Sequence, residues 1–304
     1  MNPKAIAHIS QRRILFSPLN WGWGHVSRSI PILKQLLAQD NAIWIACNEA
    51  QQEIYTNYFP AMNFVALESY PFHFRGKGNF AWDLVRSFSQ LARFSKKERA
   101  FVDSFCGEKA VDLVISDHRY FFRHPKVDSI FVTHQVSLPL PWYLKFAQLF
   151  HRNLLNQFSE IWVLDSSNHQ FAGKLSRGKT NVPQRFLGAV SRLEGMKMPA
   201  EKTKTVVLIS GPEPYAEQFY TVQKRNLKND SDEIVFIYKG KRESADEMKR
   251  VDWLEIDQIL LSAKKIIARS GYSTLMDVHF LDCEVEWHPT QGQLEQIYLK
   301  EIHT

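Results

Sequence analysis

Short runs rich in Val, Ile, Phe and Trp recur along this chain, and segments with helical spacing of their apolar residues separate them. This alternation limits the fold more than any single motif does. Strands joined through helices pair in parallel, and helices then cover the faces of the sheet. Strand candidates in the first series are residues 13–17, 42–47, 63–67, 112–116, 128–133 and 160–164. A weakly patterned stretch from Gly188 to Lys204, carrying Gly195 and Pro199, interrupts the series. A second series follows at 205–210, 233–238 and 266–268, with a further strand at 284–287 and a closing helix over 293–302. The pattern predicts an α/β protein of two Rossmann-like, doubly wound domains, residues 1–190 and 191–304.

Composition enters as a bound. At 44% hydrophobic over 304 residues, the chain can bury one large core or two medium ones. No stretch reaches the roughly 18 uninterrupted apolar residues of a membrane span, and residues 1–10 lack the apolar centre of a signal peptide. These features predict a cytoplasmic protein. Cys47, Cys106 and Cys283 are an odd, scattered three, which fits neither a disulfide framework nor a metal cluster. The net charge of +6 favours an acidic partner: a nucleotide, an anionic membrane or a nucleic acid.

Two glycine turns at strand ends carry the chemistry. In the second half, Ile266-Ile-Ala268 runs into Arg269-Ser-Gly-Tyr-Ser-Thr274 and then a helix. Gly271 permits the tight turn, and Thr274 with Asp277 has the spacing of a capping box, which predicts a helix start near Thr274. The unpaired N–H groups of such a start attract phosphate, and Arg269 adds charged donors. In the first half, residues 13–17 run into Trp21-Gly-Trp-Gly-His25 and a helix predicted over 30–37, with Pro31 in its first turn. Gly22 and Gly24 allow close backbone approach to a ligand, and His25 exchanges protons near neutral pH. Two motif matches fail on context. Gly173–Thr180 has P-loop spacing but joins no strand directly to a helix, and Asp230-Ser-Asp232 sits in a polar loop instead of at a strand end.

With both turns in hand, the sequence resembles the GT-B glycosyltransferases, in particular relatives of the N-acetylglucosaminyl transferase that makes the lipid-linked peptidoglycan precursor. Gly22-Trp-Gly-His25 is similar to that family's glycine–histidine loop on the acceptor side. Arg269-Ser-Gly271 through Asp277 is similar to its nucleotide loop, with Asp277 where the family has a ribose-binding Glu. Ser210-Gly211 falls where the family places another glycine loop near the donor, and Gln293, Glu295 and Gln296 lie where paired polar residues hold the donor sugar. The chain departs from the family in Pro212-Glu-Pro214, in the shorter Asp277 and in a short second domain.

The resemblance implies two domains facing a cleft and a UDP-sugar donor bound by Ser210, Gly211, Arg269, Ser270, Gly271, Tyr272, Ser273, Thr274 and Asp277. It also implies inverting transfer, without metal or cofactor, to a lipid-linked or glycan acceptor. A base must take the acceptor's proton, and both His25 and Asp117 are candidates. Gly22, Trp23, Gly24, Arg28, His134 and Gln135 line the acceptor side, the last two because they follow a strand end of the first domain. Aromatic and basic residues mix at 70–97 and again at 139–155, which suits peripheral contact with the inner face of an anionic membrane. No nucleic-acid partner is implied. A nucleotide-sugar-binding subunit without catalysis, and a nucleotide-sugar epimerase, share these residues and stay open.

Overall fold

The computed structural model of the protein describes residues 1–71, 88–140, 145–227, 233–238, 241–244 and 247–304. Two sheets form. The first contains β1 (Arg13–Pro18), β2 (Ala42–Cys47), β3 (Asn63–Ala66), β4 (Leu113–Asp117), β5 (Asp128–Thr133), β6 (Glu160–Val163) and β7 (Gln184–Phe186). They lie in the order β3-β2-β1-β4-β5-β6-β7, all parallel. The second contains β8 (Lys204–Ile209), β9 (Ile234–Tyr238), β10 (Lys241–Ser244), β11 (Glu247–Arg250), β12 (Ala263–Ala268) and β13 (Glu284–Trp287). Its order is β11-β10-β9-β8-β12-β13, and the β10–β11 hairpin adds the antiparallel edge.

Each sheet has one place where the strand order reverses. In the first it lies between β1 and β4, and in the second between β8 and β12. Ligands of open α/β sheets bind beyond the carboxyl ends of strands at such switch points, where the following loops part in opposite directions. His25 follows β1 and Asp117 ends β4, while Gly211 follows β8 and Gly271 follows β12. The topology therefore gathers the two glycine turns singled out in the sequence at the two switch points.

The inner strands β1, β4, β5 and β8 are buried on both faces, as parallel strands between helices must be. Ile14 and Phe16 of β1 face one core while Leu15 faces the other, and all three are wholly buried. Ile266 and Ile267 divide in the same way in the second sheet.

Most of the expected strand bounds agree with the structure to within one residue, while β7, β10 and β11 were not expected and two helix starts differ. The helix predicted over 30–37 begins at Gly24, so Pro31 lies inside it and His25 in its first turn. The expected capping box at Thr274 does not form. That helix runs Tyr272–His279 from an N-cap at Gly271 without a side-chain cap, because the Asp277 carboxylate is drawn to an arginine from the interdomain connection, described below. The P-loop letters fall on a 3-10 turn, Gly173–Leu175, and a following loop. Asp230-Ser-Asp232, most of the aromatic stretch at 72–82 and Arg86 lie outside the described residues. Among the described residues, no helix is long and apolar enough to cross a membrane.

Candidate active site

The first domain places four polar side chains at its switch point, and Arg28 joins them. Arg28 is 2% exposed. Its Nε donates to Asp117 Oδ2 at 2.9 Å, and its second terminal nitrogen binds Asp117 Oδ1. The same group stands 2.9 Å from His25 Nδ1, and the first terminal nitrogen stands 3.1 Å from His134 Nδ1. A guanidinium only donates. His134 Nδ1 must therefore accept, so its proton sits on Nε2, which donates to Glu295 Oε1 at 3.0 Å across the cleft. Gln135 Nε2 donates to the other Glu295 oxygen at 2.5 Å. One hydrogen-bonded chain thus runs from Asp117 through Arg28 and His134 to the closing helix Leu294–His303.

His25 Nδ1 lies between groups of opposite sense: the Arg28 donor at 2.9 Å and the Asp117 Oδ1 acceptor at 3.2 Å. Burial and the Arg28 charge push its pKa down, against the pull of Asp117, and its place in the first turn of a helix also disfavours a cation. The imidazole is consequently neutral at pH 7. For Asp117, burial raises the carboxyl, yet Arg28 and His25 outweigh it and hold the group well below the usual carboxylate range. Asp117 is thus a fixed anion and His25 a neutral imidazole.

The second domain meets this cluster closely. Ser273 Oγ donates to Gly24 O at 2.9 Å. A Cβ built on Gly24 would lie 2.9 Å from that same oxygen, and one on Gly22 would lie 3.7 Å from the Gly211 Cα. At Gly24 the serine would have to give way, whereas at Gly22 the contact would be ordinary and it is the backbone, at φ 75°, that favours glycine. The Tyr272 ring stacks on His134 at 4.2 Å between centroids, 9° from parallel, and its hydroxyl donates to Leu164 O.

Several predicted donor residues make contacts that sequence cannot show. Ser270 is fully buried and donates to Gln296 O at 2.8 Å, while the Gln296 side chain accepts from Thr290 N at 2.7 Å. Gln293 is the N-cap residue of the closing helix and makes no side-chain cap bond. Arg269 lies over the Phe219 ring at 4.6 Å and donates to Tyr215 O at 3.2 Å, and burial pulls its pKa down to about 10. Thr274 is buried, and Ser210 and Gly211 keep exposure at the mouth.

Asp277 is 6% exposed and is taken up by the interdomain connection: Ser191 donates to Oδ1 at 2.6 Å, and Arg192 pairs with Oδ2. Arg192 also donates to Asp257 at 2.6 Å and to Ser27 at 2.5 Å, and Tyr58 donates to Asp257 at 2.6 Å. A ribose at Asp277 would have to displace Arg192. The predicted site residues therefore separate into an open set around His25, Gly24, Gly271 and Ser210, and a set engaged between the domains, Asp277 and Glu295. Sequence reasoning missed Arg192, which sits in a stretch without pattern, and set His118, within Asp117-His-Arg119, at a strand end on the same cleft without giving it a role. Its signal was its place beside Asp117.

Two sheets of this order, with their switch points facing one another, define the GT-B fold of two-domain glycosyltransferases. Solved structures of that class share it. The Arabidopsis thaliana protein UGT89C1 superposes with a TM-score of 0.65 at 11% identity, over 96% of this chain and 82% of that one. The spinosyn rhamnosyltransferase SpnG gives 0.58 at 12%, over 94% and 83%. The glycosyltransferase SnogD from Streptomyces nogalater gives 0.53 at 13%, over 95% and 84%. UGT89C1 has been solved with UDP-L-rhamnose, and SpnG with thymidine diphosphate and with the spinosyn aglycone. No family model matches the sequence, and no curated protein resembles it closely enough to count as a relative.

Proposed function

We propose that the protein is an inverting glycosyltransferase that moves a sugar, N-acetylglucosamine or a relative, from a UDP-sugar to a lipid-linked or glycan acceptor without a metal. The observation that carries this reading is the opposition of the His25–Asp117 pair to the helix start at Gly271–Thr274, with Ser273 Oγ 2.9 Å from Gly24 O. Residues 1–190 then serve as the acceptor-side domain and 191–304 as the donor domain. The likeness to glycosyltransferases that bind sugar nucleotides supports the donor class.

In this mechanism His25 is the base and Asp117 orients it. With Nδ1–H directed at Asp117, Nε2 is left with its lone pair towards the cleft and takes the proton of the acceptor hydroxyl. The oxygen attacks the anomeric carbon as the bond to the diphosphate breaks. Backbone N–H groups at the helix start meet the charge growing on that diphosphate, and Glu295, released from His134, is placed to bind sugar hydroxyls.

For the acceptor, the helix Lys145–Leu155 leaves Phe146, Leu149 and Phe150 between 60% and 68% exposed, beside Arg152. An apolar face flanked by cations suits an anionic membrane surface holding a lipid-linked acceptor, with the protein peripheral on the cytoplasmic side.

One observation favours the alternative of a binding protein without catalysis. Arg28 is closer to His25 Nδ1 than Asp117 is, and a donating Arg28 leaves the proton on Nε2, where His25 cannot act as a base. Turnover of UDP-N-acetylglucosamine, with and without EDTA, separates the readings. Under the transfer reading, His25→Ala lowers turnover about a hundredfold or more while UDP affinity holds. Asp117→Asn also lowers it, and the wild-type rate persists below pH 6.5 because His25 remains neutral there. Wild-type protein that binds UDP-sugar without turnover, or His25→Ala with normal turnover, overturns it.

A further inference from the structure

His118 stands next to Asp117 in the left-handed region, at φ 63°. A residue with a Cβ is uncommon there, and such backbone persists where its surroundings demand it. Here they do. Ser116 Oγ donates to Arg119 O and accepts from Arg119 N, while His118 N donates to Val132 O at 3.2 Å. The turn places the imidazole beside the switch-point residues, with ring centroids 5.7 Å from His25, 5.9 Å from His134 and 5.6 Å from Phe131.

The two nitrogens of this ring differ. Nδ1 is sealed from solvent and has no hydrogen-bond partner, whereas the residue as a whole stays partly exposed. A sealed N–H without an acceptor is rarer and costlier than a sealed lone pair, so the proton belongs on Nε2. Burial above all, and the Arg28 charge with it, also push the pKa well down against Asp117. The ring is then neutral and presents one N–H donor beside the proposed base. An oxygen about 2.8 Å from an imidazole nitrogen lies about 4 Å from that ring's centroid, so one oxygen can serve both rings across their 5.7 Å separation.

We propose that His118 binds the acceptor: its Nε2–H donates to the same hydroxyl oxygen whose proton passes to His25. This rests on the transfer reading and narrows it. The pair of neutral imidazoles, one donating and one accepting, selects an uncharged hydroxyl over a phosphate, carboxylate or ammonium nucleophile. In the step, the O–H bond breaks towards His25 Nε2, the new C–O bond forms at the anomeric carbon, and the bond to the diphosphate breaks with UDP leaving as the anion. The donated hydrogen bond strengthens as negative charge gathers on the attacking oxygen.

Ring-¹⁵N histidine spectra test the site directly, with phenol as the hydroxyl probe. His118 should be the neutral Nε2–H tautomer at pH 6, and phenol should shift the His25 and His118 signals together. His118→Asn, which tolerates the left-handed backbone, should weaken the phenol-induced shift of His25 by about tenfold. It should also raise KM for phenol in transfer from UDP-N-acetylglucosamine while leaving the donor KM unchanged. His118→Gln is the second variant, and the wild-type spectra need no variant at all. An Nδ1–H or cationic His118, or a phenol shift confined to His25, overturns the proposal. Joint shifts without any turnover would instead overturn the transfer reading and leave a hydroxyl-binding site.

Discussion

Replacing Arg192 with Met should loosen the whole molecule, because among the described residues this side chain alone forms ion pairs with two carboxylates between the domains. Arg192 is 5% exposed, Asp257 fully buried and Asp277 6% exposed. The guanidinium also lies 5.4 Å from the Trp253 ring centre. Methionine fills much of the same volume, so packing loss is small and the effect is electrostatic. Removing one partner of a buried ion network costs about 3–5 kcal/mol, since the remaining charge keeps its desolvation penalty. At about 2–4 °C per kcal/mol for a chain of this size class, the melting midpoint should drop by roughly 6–20 °C.

The pH dependence identifies the cause. Burial already outweighs Arg192 and holds the Asp257 carboxyl above its usual range. Without the arginine its folded-state pKa rises further, so the folded variant binds more protons than its unfolded chain. The penalty is then fully present at high pH and shrinks as pH falls through that raised value. Calorimetry at pH 8 and pH 5.5 should show a smaller gap between variant and wild type at the lower pH. A loss under about 1 kcal/mol, or an equal gap at both pH values, would refute the argument that these carboxylates depend on Arg192.

Two further expectations concern proton uptake and membranes. His151 donates from Nε2 to Gln135 O and accepts at Nδ1 from Tyr120, and burial pulls its pKa down to about 4. Its stabilising contribution is therefore present above pH 6.5 and lost as pH falls towards 4. It amounts to about 3 kcal/mol at most by linkage, and His151→Gln should flatten the acid limb of a denaturation-versus-pH curve; an unchanged limb excludes this group. On the surface, the protein should sediment with phosphatidylglycerol vesicles more than with phosphatidylcholine ones. Serine at Phe146, Leu149 and Phe150 should remove that binding, and undiminished sedimentation of the triple variant would clear this face of the role.

Strand content was legible because a buried parallel strand is a local signal: Ile14–Phe16 and Ile266–Ala268 are apolar without interruption, and the glycines that follow mark where the chain turns. The β10–β11 hairpin was not legible, since Lys241–Ser244 and Glu247–Arg250 carry charge where an interior strand would carry Val or Ile. Helix starts were misplaced for a related reason. The Gly24 and Tyr272 starts lack side-chain caps, so nothing in the local sequence marks them; only the contact between Ser273 and Gly24 does.

The site divides along the same line. His25 and Asp117 could be set on one cleft from sequence because one lies in the loop region after a strand and the other closes a strand, and the reversal between β1 and β4 brings those ends together. What no local pattern reveals is that Arg28, three residues beyond His25, turns inward to bind that same Asp117, or that Arg192 claims Asp277. Both arginines do this because an unpaired carboxylate cannot stay buried, and each reaches its carboxylate from a distant part of the chain. The consequence for function is specific. The carboxylates expected to hold the donor, Asp277 and Glu295, already bind groups of the connection and the first domain. Under the transfer reading, a UDP-sugar engages them only by exchanging those partners, which would link donor binding to the relative position of the two domains through Arg192 and His134.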